Sequence, residues 1–421
     1  MNDVCVVGIG RIGLPIALLL SSNGLRVHGV DIDQRRIDRL ADSSQSDPEP
    51  GITALLHEVL SKGLFSFSSE VLQADAYVIA VPTPLSSEGA PDLSAVVQAA
   101  ESIVPALDRG NLVVVQSTVP VGTTRDVVVP ILNQAGLSAG EDFDVAYCPE
   151  RALPGDLLGE ICNSTRVVGG LTSEASDRAA ELYGRFATGQ IHKTTLEVAE
   201  MVKLAENTYR DVNIALANEL ARLAERHRIN VWEVRELANL HPRVALHYPG
   251  AGVGGHCIPV DPYFLHYSDP DNATLISAAR TVNDAMPGYV AGLIRDLVGD
   301  QDTTVALLGA TYKEATNDTR NSPATAVLRH LAQAGFEVTV TDPVAEQFET
   351  PILPFKDAIA SADLLAFLVG HGEYRRLDAR SVAQQTSARM VIDVCNCLDH
   401  QLWREAGFQV YLLGAGLLGT E

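Results

Sequence analysis

The chain has 421 residues, and 53 acidic against 31 basic side chains leave a net charge of −22. That balance argues against nucleic acid or an anionic membrane as partner, because both need a basic surface. A 46% hydrophobic content suits globular folding over about three domains, and the longest apolar stretch, residues 12–20, is too short to span a bilayer.

Residues 3–7 read as a short buried strand, with no basic, then apolar, then cleavable leader before them, so a cytoplasmic location is expected. Six scattered cysteines are expected to be reduced there. Gly8-Ile9-Gly10-Arg11-Ile12-Gly13 follows, then a helix over 14–22 and a second strand over 26–32 that carries Asp31. This is the strand–loop–helix–strand setting of a dinucleotide site: the glycines allow a tight turn, approach of the pyrophosphate and close helix packing. Asp31 is placed to accept from a ribose diol and would repel a 2′-phosphate, so NAD is favoured over NADP. Strands over 76–81 and 112–116 run into Pro82-Thr83-Pro84 and Ser117-Thr118-Val-Pro-Val-Gly122, loops that line the ligand crevice of a doubly wound sheet. The hydroxyls of Thr83 and Thr118 suit either a cofactor contact or turn stabilisation. A further strand over 144–147 leads into Cys148-Pro149-Glu150-Arg151.

Residues 196–228 contain no proline or glycine and repeat apolar side chains at helical spacing. About 33 residues at 1.5 Å each span roughly 50 Å, enough to brace two domains or a subunit interface. Lys203, Asn207 and Arg210 share one face of that helix, a solvated stripe or a match for an anionic, oxygen-rich ligand. Cys257 lies in a glycine-rich run over 250–265, open to close approach by a ligand. Such a thiol near a hydride acceptor can capture an aldehyde, although a free cysteine is more commonly a small buried residue.

Beyond residue 299 the first pattern returns: a strand over 305–309, a helix over 322–334, and 335–342 ending in Asp342 as 24–31 ends in Asp31. Strands over 364–369 and 390–394 complete a second doubly wound domain without the glycine fingerprint. Lys313 and Arg320 follow its first strand, where phosphates can bind. Cys395 and Cys397 share a face but lack further ligand spacing, so a structural role and no metal are expected. The expected architecture is α/β: two doubly wound Rossmann-like domains joined by a long central helix and a helical middle domain. Its parts are 1–195 for NAD, 196–298 for dimerisation and the cysteine, and 299–421 for a nucleotide sugar.

Seven separated motifs in order resemble the UDP-glucose/GDP-mannose dehydrogenase family: residues 8–13, 81–84, 117–122, 147–151, 200–207, 254–257 and 309–320. The resemblance implies NAD-dependent, four-electron oxidation of the C6 hydroxyl of a UDP-sugar, through a thiohemiacetal and thioester on Cys257. It implies catalytic roles for Cys257, Lys203, Asn207, Asp261, Glu150 and Thr118, with Glu150 as base for hydrolysis. The cofactor set is Gly8, Gly10, Arg11, Ile12, Gly13, Asp31, Arg36, Thr83 and Thr118. The substrate set is Arg151, Lys203, Asn207, Arg210, His241, Arg243, Gly254, Lys313 and Arg320, with Arg243 reaching from a neighbouring subunit of a homodimer or larger homo-oligomer. His256 either depresses the thiol pKa or shapes the loop.

Within the family, residues 207–219, His241-Pro-Arg243 and Gly-Gly-His-Cys257 are most similar to the branch acting on UDP-N-acetyl-D-mannosamine. Two departures stand out: Arg11 replaces a common tyrosine, and Val260 replaces the lysine usual in the glucose branch. UDP-N-acetylglucosamine and UDP-glucose are the alternative substrates. A two-electron dehydrogenase needing no thiol and a non-catalytic NAD-responsive binding protein are the rival readings.

Overall fold

The computed structural model describes residues 1–42, 49–86, 88–152, 155–299 and 303–418. They form two compact units, Met1–Glu206 with Tyr263–Pro270, and Asn207–Pro262 with Asp271–Glu421.

The first unit holds one eight-stranded sheet. Its strands are β1 (Asp3–Val7), β2 (Arg26–Val30), β3 (Phe65–Ser68), β4 (Ala76–Ile79), β5 (Leu112–Val115), β6 (Asp144–Tyr147), β7 (Arg166–Gly170) and β8 (Ile191–Thr195). They lie in the order β3-β2-β1-β4-β5-β6-β7-β8. All pairs are parallel except β6 with β7. The central strands are buried on both faces, as parallel strands covered by helices must be, and so read as apolar runs rather than alternating patterns. The helix Gly13–Ser22 is buried at every residue but its last, so it is apolar all round. Strand order reverses between β1 and β4, and the crevice at their carboxyl ends is where a doubly wound sheet takes its ligand.

The second unit holds β9 (Thr304–Leu308), β10 (Glu337–Thr341), β11 (Leu364–Phe367), β12 (Met390–Asp393), β13 (Gln409–Leu412) and β14 (Gly416–Leu417). Their order is β10-β9-β11-β12-β13-β14, parallel but for the last pair. The expected α/β class with two Rossmann-like sheets is therefore observed. The repeat extends to single bonds: the Gly8 N–H donates to Val30 O at 2.8 Å, and the Gly309 N–H donates to Thr341 O at 2.9 Å. At the acid, however, the two sheets differ. Asp342 Oδ2 accepts the Ala310 and Thr311 N–H groups at 2.7 and 3.2 Å and lies 3.2 Å from His371 Nε2. Its Oδ1 accepts the Val344 and Ala345 N–H groups, each at 2.9 Å. Burial pushes this carboxyl up, but those hydrogen bonds win and hold it at about 2.

The long helix Leu196–His227 is the expected central element, and the unit boundary after Glu206 falls within it. In the second unit its continuation packs on the helix Thr274–Val298 through a buried polar chain. Arg280 Nη1 donates to Asp211 Oδ1 at 2.6 Å, and Asn283 Nδ2 donates to the same oxygen at 2.8 Å. Asn218 Nδ2 donates to Asn283 Oδ1, and Asn218 Oδ1 accepts the Gly250 N–H, both at 2.9 Å. The chain of bonds therefore ends on the loop that leads to Cys257. Among the described residues no helix is long and apolar enough to cross a membrane.

Candidate active site

The glycine loop after β1 divides its labour as its spacing suggests. Gly8 has φ +90°, and a Cβ there would stand 2.7 Å from Ala80 O. A Cβ on Gly13 would stand 1.8 Å from Gly8 O, so helix and loop touch backbone to backbone. Around Gly10 a Cβ would meet nothing within 4 Å, which leaves that side open to a ligand. Asp31 directly follows β2, with Oδ1 accepting the Asp33 N–H at 3.0 Å. Arg36 Nε donates to Ile9 O at 2.5 Å and lies 3.9 Å from Asp31 Oδ2, tying the loop to the acid. Ile32 beside Asp31 is 89% exposed, an apolar face next to that carboxylate. These residues fit a dinucleotide with a free 2′-hydroxyl. Thr83 donates its hydroxyl to Thr118 O at 2.6 Å, which joins the two crevice loops.

Glu150, after β6, is gripped on both oxygens. Oε1 accepts the N–H groups of Arg151 and Ala152 at 2.8 and 3.0 Å. Oε2 accepts from Gln116 Nε2 and Arg166 Nη2, both at 3.3 Å. Arg166 is 3% exposed; its guanidinium carbon lies 5.0 Å from the Tyr183 ring centre and 5.3 Å from that of Phe186. Tyr183 donates to Gln116 Oε1 at 2.9 Å, which turns the Gln116 amide toward Glu150. Burial pushes the neighbouring Cys148 thiol up to about 11, against the opposing charge of Arg166. Arg151 forms a fork with Glu206 (Nε–Oε2 2.9 Å, Nη2–Oε1 2.5 Å) and donates to Thr165 O at 2.7 Å.

In the first turns of the long helix, Glu200 is fully buried and accepts the Gly122 N–H at 2.6 Å, the Thr124 N–H at 2.9 Å and the Thr124 hydroxyl at 2.6 Å. Burial raises this carboxyl and the three bonds act against it. Glu200 thereby fastens the end of the Thr118 loop to the helix that carries Lys203. Lys203 is 8% exposed, and its ammonium has no hydrogen bond or ion pair among the described residues.

In the second unit, Asn207 Nδ2 donates to the buried Asp261 Oδ2 at 2.5 Å. Cys257 is exposed, and its carbonyl accepts the Val260 and Asp261 N–H groups at 3.0 and 2.8 Å, opening the helix Asp261–Ser268. The cysteine loop lies on the loop after β9. A Cβ on Gly254 would stand 2.7 Å from both Asn321 O and Tyr312 Cβ, and Asn321 Nδ2 donates to Gly255 O at 3.2 Å. His256 Nε2 lies 3.5 Å from Asp318 Oδ2. Arg320 forks the same carboxylate with two bonds of 2.9 Å, while Lys313 Nζ lies 5.9 Å from the Tyr312 ring centre. His241 and Arg243 occupy one exposed turn, with Arg243 Nη2 3.4 Å from His241 Nε2. Arg210 is exposed, and burial with the charges of Arg210 and Arg235 lowers the His247 pKa.

Sequence reasoning missed Arg166, Gln116, Glu200, Asn218 and Ile32. Arg166 heads a strand of two valines and two glycines, and an arginine at a strand end carries no local signal of burial. Glu200 stood inside a quoted motif, three residues before Lys203, but nothing in its spacing points to Thr124.

Three stretches match the UDP-glucose/GDP-mannose dehydrogenase family: its NAD binding domain over residues 2–187, its central domain over 197–285 and its UDP binding domain over 306–400. The chain is 42% identical over 419 residues to a UDP-N-acetyl-D-mannosamine dehydrogenase of Methanocaldococcus jannaschii, covering 98% of this chain and 96% of that one. It is 39% identical over 406 residues to an NDP-N-acetyl-D-galactosaminuronic acid dehydrogenase of Ralstonia solanacearum, covering 93% and 95%. The solved UDP-D-ManNAc dehydrogenase of Pyrococcus horikoshii superimposes with a TM-score of 0.92 at 37% identity, covering 98% and 99%.

Proposed function

The chain belongs to the UDP-glucose/GDP-mannose dehydrogenase family, and on that premise we propose that it oxidises UDP-N-acetyl-D-mannosamine at C6 to the uronate. The observation that carries the chemistry is the Asn207–Asp261 bond at the start of the helix that the exposed Cys257 opens. The name of the archaeal relative supports the sugar.

Gly8, Gly10, Arg11, Ile12, Gly13, Asp31 and Arg36, with Ile32 beside the diol, would hold NAD, which would supply the hydride acceptor for both oxidations. Lys203 assists removal of the C6 hydroxyl proton. Lys203 and Asn207 donate to the developing oxyanion, a contribution of about 3 kcal/mol per well-placed donor. The Cys257 sulfur adds to the aldehyde carbon, and the resulting thiohemiacetal gives a thioester in the second oxidation. A water activated by Glu150 adds to the thioester, the C–S bond breaks, and carboxylate and thiol are released. Asp261 and Thr118 orient the water or the lysine. Arg151, Arg210, His241, Arg243, Gly254, Lys313 and Arg320 hold the nucleotide sugar, the first and last by exchanging their present carboxylate partners for its oxygens.

We read residues 1–195, 196–298 and 299–421 as the cofactor, cysteine and nucleotide-sugar parts of a cytoplasmic homodimer. Exposed Leu216, Leu223, Leu237, Leu240 and Val244 support a partner surface in the second unit. A panel of UDP-sugars followed by NADH absorbance tests the reading. Two NADH per sugar, preference for the N-acetylmannosamine epimer and silence of Cys257→Ser are expected. One NADH per sugar would favour the two-electron dehydrogenase. Preference for UDP-N-acetylglucosamine would overturn the sugar and leave the chemistry standing.

A further inference from the structure

Cys395 and Cys397 take no part in the oxidation proposed above. They follow β12, whose last residue is Asp393, in the run Asp393-Val-Cys395-Asn-Cys397-Leu-Asp-His400. Asn396 between them has φ +54°, in the left-handed region. The turn it makes brings both sulfurs and one Asp393 oxygen within 4.8 Å of one another. Two sulfurs alone gave no ligand set in the sequence; the carboxylate four residues before Cys397 adds the third donor.

The carboxylate is fixed before any ligand arrives. Oδ1 accepts the Cys395 and Cys397 N–H groups at 3.2 and 3.1 Å. Oδ2 accepts the Leu398 N–H at 3.0 Å and lies 3.0 Å from His400 Nε2, a histidine–carboxylate contact of the kind that orients metal ligands. The Cys395 Sγ lies 3.7 Å from Asp393 Oδ1 and 3.8 Å from Phe367 O, so its proton is shared between two oxygens that a cation would face. Tetrahedral zinc, with Zn–S of about 2.3 Å and Zn–O of about 2.0 Å, separates sulfur from oxygen by about 3.5 Å. The observed 3.7 Å is within the adjustment a side chain makes on binding. Asp393 is fully buried and Cys397 is 6% exposed, so donors and cation would be shielded from water. Arg375, bonded to Gly370 O at 3.1 Å, stands beside Cys397. Two thiolates and a carboxylate carry three negative charges, of which a divalent cation offsets two; Arg375 already pairs with Glu314 at 3.1 Å.

We propose that Asp393, Cys395 and Cys397 bind a thiophilic divalent cation of the zinc class, with the Phe367 carbonyl or a water as fourth ligand. Binding displaces two thiol protons, so affinity rises with pH. The cation fastens the turn between β12 and the helix His400–Glu405, apart from the catalytic thiol.

Cobalt(II) is the probe, added to the full-length, reduced protein, because thiolate–cobalt bonds give a near-ultraviolet charge-transfer band. One equivalent is expected to give that band in the wild type and in Cys257→Ser, with zinc abolishing it. Cys395→Ser/Cys397→Ser is expected to lose the band while forming NADH at the wild-type rate, which also establishes that it folds. The proposal is overturned if the wild type gives no band, if the band survives the double substitution, or if Cys257→Ser removes it. Equilibrium dialysis against zinc gives a second reading free of any variant: one ion per chain supports the site, and none refutes it.

Discussion

Arg166→Met isolates the buried pair that holds Glu150. Methionine keeps much of the apolar stem between Tyr183 and Phe186 and removes the charge. At 3.3 Å and an effective dielectric of 20, the pair attracts by about 5 kcal/mol before desolvation is subtracted. Breaking a buried pair by deleting one partner costs about 3–5 kcal/mol, chiefly because the other charge is stranded. Glu150 keeps Gln116 and two backbone N–H groups, so a loss near 3 kcal/mol is expected. Both tryptophans, Trp232 and Trp403, lie in the second unit, so fluorescence is silent on this change and urea unfolding is followed by far-ultraviolet circular dichroism. Glu150→Gln strands the arginine instead, and the double variant should lose at least about 1 kcal/mol less than the sum of the two. In turnover, Arg166→Met should give a rapid burst of NADH and then a slow phase, as the thioester waits on a misplaced base. A loss below about 1 kcal/mol, or simple additivity of the two changes, would refute the clamp.

Asp31→Ala should weaken NAD binding and relax discrimination against NADP; unchanged NAD affinity by calorimetry would remove this acid from the diol site. Gly13→Ala should cost toward the top of the about 1–3 kcal/mol range of overpacking, since its Cβ would stand 1.8 Å from a backbone oxygen, and normal NAD binding by that variant would contradict the loop geometry. Asp342 has a folded pKa of about 2 against 3.8, so its contribution is present above pH 3.8 and lost as pH falls toward 2. Asp342→Asn should therefore flatten the acid limb of stability by about 2 kcal/mol; an acid limb as steep as wild type counts against the linkage.

The fold was legible wherever burial on both faces makes a strand continuously apolar. Expected strands at 76–81 and 112–116 begin where β4 and β5 begin, and differ only at their carboxyl ends, where backbone turns into the crevice. β8, Ile-His-Lys-Thr-Thr, escaped notice because it lies at the sheet edge and is largely wetted. Pro287 disguises the 25-residue helix Thr274–Val298, although that ring is buried and a Cβ on Gly252 would touch it. The glycine loop and Asp31 were legible because spacing dictates their geometry. The partners of Glu150 and His256 were not, since Arg166 and Asp318 meet them through folding and no local pattern encodes the encounter.

The turned-in acid after β10 bears on any attempt to redesign the second sheet. Installing a glycine fingerprint after β9 would not by itself create another dinucleotide pocket, because the Ala310 and Thr311 amides are already bonded to Asp342. They would first have to be released, and His371 would then face a buried vacancy on its carboxylate side. The two sheets thus diverge in what a single carboxylate holds: Asp31 accepts the Asp33 N–H beyond its strand, whereas Asp342 turns inward and seals the loop after β9.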